Sequence, residues 1–213
     1  MYKYFPTTKE ELVEIIKEEV KRKGWNCDLN HIDVSKITDM SCLFSSYEYN
    51  LGKFNGDISR WDVSNVTDMS HMFDGAKVFN QPIGDWDVSN VTNMTGMFEA
   101  AKVFNQPIGD WDVSNVKGMH CMFYYAFSFN QPIGDWDVSN VTDMHSMFNR
   151  AKSFNQPIGD WDVSTVTDML YMFFGATEFN QDLSNWKLKT TCGTDEMFYY
   201  CPIKEEYTPK GIE

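Results

Sequence analysis

Tryptophan recurs in this chain at a fixed interval of 25 residues, and this spacing restricts the possible folds more than any other feature. The series consists of Trp61, Trp86, Trp111, Trp136, Trp161 and Trp186. Phenylalanine keeps the same period from Phe54 to Phe179, and methionine keeps it from Met69 to Met169. A unit of this size cannot close a core alone, whereas stacked copies bury a continuous core. The spacing therefore predicts a repeat solenoid.

Two apolar patterns lie within each repeat. In the copy that contains Trp86, the spacing of Ile83, Trp86 and Val88 fits a short strand, with Pro82 and Gly84 marking its start. Residues 91–101 then place apolar side chains at intervals of three and one, which suits a short helical or 3-10 turn. We expect an α/β solenoid whose 25-residue coils each contain one short parallel strand and one short helical turn.

The repeat unit also resembles a known family. The motif D-W-D-V-S-N-V-T-D-M-S-x-M-F is similar to that of the BspA-like leucine-rich-repeat surface proteins, and in particular to their bacterial branch of unknown function with a 25-residue Met-Phe-Trp repeat. The resemblance covers about residues 32–201, and residues 7–24 resemble the helix that often opens such chains. It implies a leucine-rich-repeat-like solenoid that binds partners or adheres to surfaces, and it implies no catalytic residues.

The ends of the chain differ from the repeats. Thr8 to Glu11 fit a capping box, and Gly24 fits a C-terminal stop, so a helix is predicted between them. We expect residues 1–30 to form an N-terminal capping helix, because a solenoid needs its first open coil covered. Residues 31–201 would form the solenoid and residues 202–213 a charged C-terminal tail.

Charge and composition exclude several classes of partner. The chain has 18 basic and 31 acidic residues, a net charge of −13, which argues against binding to nucleic acid. It has no apolar run of about 18 residues, so no transmembrane segment is expected. The start shows no signal-peptide pattern and favours a cytoplasmic location, whereas the family resemblance suggests the cell surface. Oligomeric state is left open, since the ends of solenoids can stack.

Aspartates flank the four repeated tryptophans from Trp86 to Trp161 on both sides and predict two stacked columns on the solenoid surface. The two columns include Asp85, Asp87, Asp110, Asp112, Asp135, Asp137, Asp160 and Asp162. Their carboxylates could bond nearby backbone amides or face water, bind Ca²⁺ between coils, or receive a basic partner. The calcium alternative would make the protein a Ca²⁺-dependent adhesion module.

A few repeat positions vary, and several of them carry aromatic residues. We predict a partner-binding patch composed of Tyr124, Tyr125, Phe127, Tyr171 and Phe174. Exposed aromatic residues are typical anchors of protein interfaces. The alternative is that these positions tolerate sequence variation without a function and that their side chains are partly buried between coils.

The chain contains no motif of a known catalytic site. It lacks G-x-S-x-G, H-E-x-x-H and a glycine-rich phosphate loop, and no C-x-x-C suggests a zinc site. We therefore expect no enzymatic activity and no cofactor. The most favoured function is non-catalytic binding of a protein partner whose identity the sequence does not give.

Overall fold

The protein forms a stack of 25-residue coils that begins with a single helix. The structure, a computed structural model, describes residues 2–211. Within these residues the helices are α1 (Lys9–Lys23) and one 3-10 turn (Glu205–Tyr207). The remaining segments consist of turns, bends and isolated bridges, so the regular element of this fold is the coil itself.

Helix α1 begins and ends where local sequence chemistry predicts. The Thr8 side chain accepts a hydrogen bond from the backbone N–H of Glu11, and Gly24 ends the helix with φ +88°. Glu11 accepts from the backbone N–H of Thr7 at 2.7 Å, one residue before the position expected in a capping box. The buried face includes Leu12, Ile16 and Val20, so the helix packs with its apolar stripe against the first coils.

The predicted strand is wrong. No strand is present within residues 2–211, and the segment from Ile83 to Val91 is organised instead by tight turns, with Trp86 N–H donating to Ile83 O and Val91 N–H to Val88 O. These turns direct backbone groups back into the same coil. A ladder between coils requires those groups to point at the neighbouring coil, so the apolar spacing of this segment does not produce a strand.

The backbone ladder between coils lies in the segment that was expected to be helical. Met69, His71, Phe73 and Gly75 donate their backbone N–H groups to carbonyls of the next coil at 2.7–3.0 Å. In the same segment, one residue of each coil forms a parallel β-bridge with its equivalent in the next coil. These residues are Asp39, Asp68, Asn93, Gly118, Asp143, Asp168 and Gly193. The parallel stacking that was expected is therefore present, but as single bridges displaced from the predicted strand.

The same segment is not a regular helix, because left-handed residues interrupt it. His71 has φ +54° and Gly75 has φ +68°, and the equivalent residues of later coils repeat these values. Other N–H groups of the segment close four-residue turns, such as Met72 N–H to Met69 O at 3.2 Å and Asp74 N–H to His71 O at 3.1 Å. Along this segment, N–H groups that bond the next coil alternate with N–H groups that close a turn within the coil. The segment is therefore a series of turns and not the expected helical turn.

Ladders of aromatic rings fill the core. Phe73, Phe98, Phe123, Phe148 and Phe173 stack with ring centroids 5.5–5.8 Å apart. A second ladder runs from Phe79 to Phe179 at 5.9–6.2 Å. The repeated tryptophans are at most 4% exposed, and each indole N–H donates to a carbonyl of the preceding coil. The fixed 25-residue spacing thus corresponds to a stack of aromatic rings in which each tryptophan indole N–H is hydrogen-bonded.

Both ends of the stack make contacts with their neighbouring coils. Tyr4 forms a parallel bridge with Ile32, and buried Glu19 accepts from the Tyr4 hydroxyl at 2.9 Å. At the other end, Leu183 N–H donates to Tyr207 O at 2.8 Å, and Lys204 N–H donates to the Asn180 side chain. The division into residues 1–30, 31–201 and 202–213 stays a prediction, and residues 1, 212 and 213 lie outside the described residues.

Candidate functional site

A groove of about 560 Å³ crosses the later coils on the face that carries the backbone ladder. It is lined by Cys121, Tyr124, Tyr125, His145, Ser146, Asn149, Arg150, Tyr171, Phe174 and Glu196. These positions vary from repeat to repeat, whereas the core positions below them do not. A groove of this size suits a few side chains of a bound segment.

The repeat itself positions the groove residues. Tyr125 N–H donates to Asn149 O at 2.9 Å, and Arg150 N–H donates to Phe174 O at 2.7 Å. Tyr125 and Arg150 both have φ +57°, so each side chain leaves the coil in the same left-handed geometry. Residues 25 positions apart are therefore held side by side by backbone hydrogen bonds.

Arg150 joins the two aromatic groups of the groove. Its guanidinium carbon lies 5.2 Å from the centre of the Tyr125 ring and 5.7 Å from that of Phe174. Tyr124 and Tyr125 meet edge to face at 4.5 Å, and Tyr171 meets Phe174 at 6.0 Å. Cation–π contacts and edge-to-face pairs each contribute about 0.5–1 kcal/mol, so these side chains hold one another in place.

Asn149 provides an unused hydrogen-bond acceptor in this groove. The residue is only 8% exposed, and its Oδ1 atom is buried without a hydrogen-bond partner in the protein. Its Nδ2 atom lies 3.4 Å from the Ser146 hydroxyl. Leaving a buried acceptor unpaired costs about 1–3 kcal/mol, and a ligand that donates to Oδ1 would recover that energy.

Two ionisable groups of the groove, the Cys121 thiol and the Tyr124 hydroxyl, have raised pKa values. Burial, reinforced by the nearby Glu99 and Asp143 carboxylates, raises the pKa of the Cys121 thiol to about 12. Burial and the adjacent Tyr125 also raise the pKa of the Tyr124 hydroxyl. A thiol with this pKa is a poor nucleophile at neutral pH, while the tyrosine hydroxyl remains a hydrogen-bond donor.

The structure places four of the five predicted patch residues together. Tyr124, Tyr125, Tyr171 and Phe174 line the groove. Phe127 lies beside them, 5.7 Å from the Tyr125 ring, with the ammonium groups of Lys102 and Lys152 over its own ring. The groove is also lined by Asn149, Arg150 and Glu196, which the sequence analysis did not select. The sequence shows that these three residues depart from the repeat pattern, but it does not show that they meet the aromatic residues of neighbouring coils.

Both aspartate columns are exposed, and the column that follows the tryptophans is engaged in local hydrogen bonds. Asp87 accepts from the Ser89 backbone N–H and hydroxyl at 3.1 and 2.6 Å, and Asp112 bonds Ser114 in the same way. These bonds lower the pKa of both carboxyls. Asp137 and Asp162 likewise accept from the following serine N–H. Calcium binding by these columns stays a prediction.

A separate cluster of metal-ligand side chains lies on the ladder face of earlier coils. Within residues 2–211, only His71, Asp74 and Glu99 place three ligand atoms within 4.8 Å of one another. His71 Nδ1 lies 3.7 Å from the Asp74 carboxylate and 3.8 Å from that of Glu99. Burial raises the pKa of Asp74 to about 6. Sequence analysis missed this cluster because His71 lies in a different column from Asp74 and Glu99, and Glu99 belongs to the next repeat.

One protein family matches the chain, with two overlapping segments at residues 15–132 and 106–208. Its description is "Mycoplasma protein of unknown function, DUF285". The chain belongs to this family. The family description gives no activity or partner, and the resemblance to BspA-like leucine-rich-repeat proteins stays a prediction. Neither a curated protein nor a solved structure is significantly similar to the chain.

The described helices of this DUF285 member are not of the membrane-spanning type. Within residues 2–211, no helix combines the length and the apolar character needed to cross a bilayer. Helix α1 has 15 residues and carries charged side chains along its exposed face.

Proposed function

We propose that this protein is a non-catalytic binding module and that its aromatic groove receives a segment of a protein partner. The supporting observation is that variable aromatic side chains gather around a buried, unpaired acceptor on an otherwise uniform repeat. On this reading the coils form a leucine-rich-repeat-like solenoid that serves as a rigid support.

The groove defines the chemistry of the partner segment. Tyr124, Tyr125 and Phe174 offer flat apolar surface for an aromatic or aliphatic anchor. Asn149 Oδ1 would accept a backbone or side-chain N–H from the same segment. The chain has a net charge of −13, so basic residues beside the anchor would be favoured by complementarity.

A random peptide display library tests this proposal. We expect selection on the wild-type protein to enrich peptides with an apolar anchor flanked by Lys or Arg. The double variant Tyr124→Ala/Tyr125→Ala should bind the enriched peptides about tenfold or more weakly, because it removes two anchor surfaces. Affinities measured by calorimetry or fluorescence anisotropy give the readout.

Two controls separate binding from folding. Tyr125→Ala restores the residue found one coil earlier, Ala100, which has the same left-handed backbone at φ +52°. The melting temperature of the double variant should therefore fall by only a few degrees, since the edge-to-face pair and the cation–π contact that it loses contribute about 0.5–1 kcal/mol each. Val78→Ala/Val103→Ala removes exposed apolar side chains outside the groove and should leave affinity unchanged. Failure to enrich any peptide, or equal binding by the Tyr124→Ala/Tyr125→Ala variant, would reject the proposal.

A further inference from the structure

The cluster of His71, Asp74 and Glu99 joins two adjacent coils. The His71 carbonyl accepts from the Asp74 N–H at 3.1 Å, and this turn brings the two side chains to the same face. Gly75 N–H donates to Glu99 O at 2.7 Å, which places Glu99 beside Asp74 in the next coil. The backbone ladder thus places the three residues on one face of two adjacent coils.

The imidazole nitrogen of this cluster has no partner in the protein. His71 Nδ1 is inaccessible to solvent and makes no hydrogen bond, although two carboxylates face it. The separations of 3.7 and 3.8 Å are too long for hydrogen bonds. Such separations fit two ligand atoms that each lie about 2.0–2.2 Å from a shared ion.

Gly96 provides the space that this arrangement needs. A Cβ atom at position 96 would lie 2.4 Å from His71 Nδ1 and 3.2 Å from a Glu99 carboxylate oxygen. The equivalent positions in later coils are Cys121, Ser146 and Tyr171. The ring of His71 can therefore cross toward Glu99 at this coil because its neighbour in the column has no side chain.

We propose that His71 Nδ1, Asp74 and Glu99 bind a divalent transition-metal ion of the Zn²⁺ type between two coils. One imidazole and two carboxylates are ligands that Zn²⁺ accepts, and three protein ligands leave a fourth position open. Ca²⁺ and Mg²⁺ prefer six or more oxygen ligands, so this set selects against them. This site is independent of the aromatic groove and of the aspartate columns.

Isothermal titration calorimetry of the metal-free 213-residue chain with ZnCl₂ tests the site. We expect a one-to-one binding event that His71→Asn weakens about tenfold or more, and that Asp74→Asn and Glu99→Gln weaken as well. Asparagine is suited to position 71 because it tolerates the left-handed backbone at φ +54°. Circular dichroism and the melting temperature of each metal-free variant would establish that it remains folded.

Matched controls distinguish this site from other donors. His120→Asn removes a histidine that faces a single carboxylate, Asp143, at 3.3 Å, and Cys121→Ser removes a free thiol from the column of His71. Both variants should keep the wild-type Zn²⁺ affinity, and CaCl₂ or MgCl₂ should not compete. Absence of binding, or binding that survives His71→Asn but is lost in Cys121→Ser, would overturn the proposal.

Discussion

At the residue scale, each repeated side chain both fills space and completes a contact between coils. Phe98 stacks on Phe73 and Phe123 at 5.6 and 5.8 Å, so its ring supports both neighbours. The Asn105 side chain accepts the backbone N–H of Asn130 in the next coil at 2.9 Å. A ladder of this kind satisfies polar backbone groups that the turns leave free. The strict sequence period follows from this double requirement.

Trp111 allows a test of that double role. Its side chain is 3% exposed, and its indole N–H donates to Ile83 O at 3.2 Å. We expect Trp111→Phe to lower the free energy of unfolding by about 1–3 kcal/mol, because it removes a buried hydrogen bond and leaves unfilled volume. Urea unfolding monitored by circular dichroism gives the measurement.

Trp25 is the matched control for this substitution. It lies outside the 25-residue series and is 38% exposed. Trp25→Phe should change the free energy of unfolding by less than about 1 kcal/mol. Equal losses in the two variants would contradict a special role for the repeated tryptophan.

At the element scale, helix α1 is fixed to the first coil by a buried charge. The Glu19 side chain is 1% exposed, accepts a hydrogen bond from the Tyr4 hydroxyl at 2.9 Å and lies 3.1 Å from His31 Nε2, with Arg22 and Lys23 also paired to it. Burial alone would raise the pKa of Glu19, but these partners outweigh it and lower the pKa to about 2. The helix is thus held by a charge cluster as well as by its apolar face.

This pKa shift predicts a specific acid sensitivity. Because the folded-state pKa of Glu19 lies below its unfolded value of 4.5, its contribution to stability is present above about pH 4.5. The contribution is lost as the pH falls from about 4.5 toward 2. We expect the wild type to lose about 1–3 kcal/mol more than Glu19→Gln over that range. Unfolding curves at several pH values would measure the difference.

Glu14 gives the control for the acid prediction. It pairs with Lys17 at 2.9 Å, but its side chain is 70% exposed. Exposed ion pairs contribute little to stability, so Glu14→Gln should follow the wild-type pH profile. If Glu19→Gln also followed that profile, the buried charge cluster would not stabilise the folded state.

At the scale of the whole molecule, nearly identical coils should be removable as units. Residues 77–101 begin after Ala76 and end at Ala101, so their deletion joins equivalent positions of two repeats. Each coil contacts only its neighbours, and the new neighbours keep the aromatic ladders in register. The deletion variant should therefore fold cooperatively, with a modestly lower melting temperature.

The same deletion separates the two proposed sites. It removes Gly96 and Glu99 from the metal cluster but keeps every residue that lines the aromatic groove. We expect Zn²⁺ affinity to fall about tenfold or more while peptide binding remains at the wild-type level. Circular dichroism, ZnCl₂ titration and peptide anisotropy on one preparation would test all three expectations. Loss of peptide binding in a folded variant would place the binding site outside the groove.

The sequence alone determined the repeat, its inward-facing residues and the capping of helix α1. Apolar periodicity records which side chains are buried, and Thr8 and Gly24 act through local backbone chemistry. Aromatic residues at variable repeat positions also correctly predicted four residues that line the groove. These features depend on spacing within one coil, which is directly visible in the sequence.

Only the tertiary structure decided where the coils bond to one another and which variable residues meet. The backbone ladder lies in the segment that contains left-handed residues such as His71 and Gly75, and not in the predicted strand. The spacing of apolar residues does not indicate which residues adopt a positive φ. Arg150 reaches Tyr125 in the preceding repeat, and His71 faces Glu99 in a different repeat and a different column. Such contacts arise from the stacking of coils in three dimensions, so a pattern along the chain does not contain them.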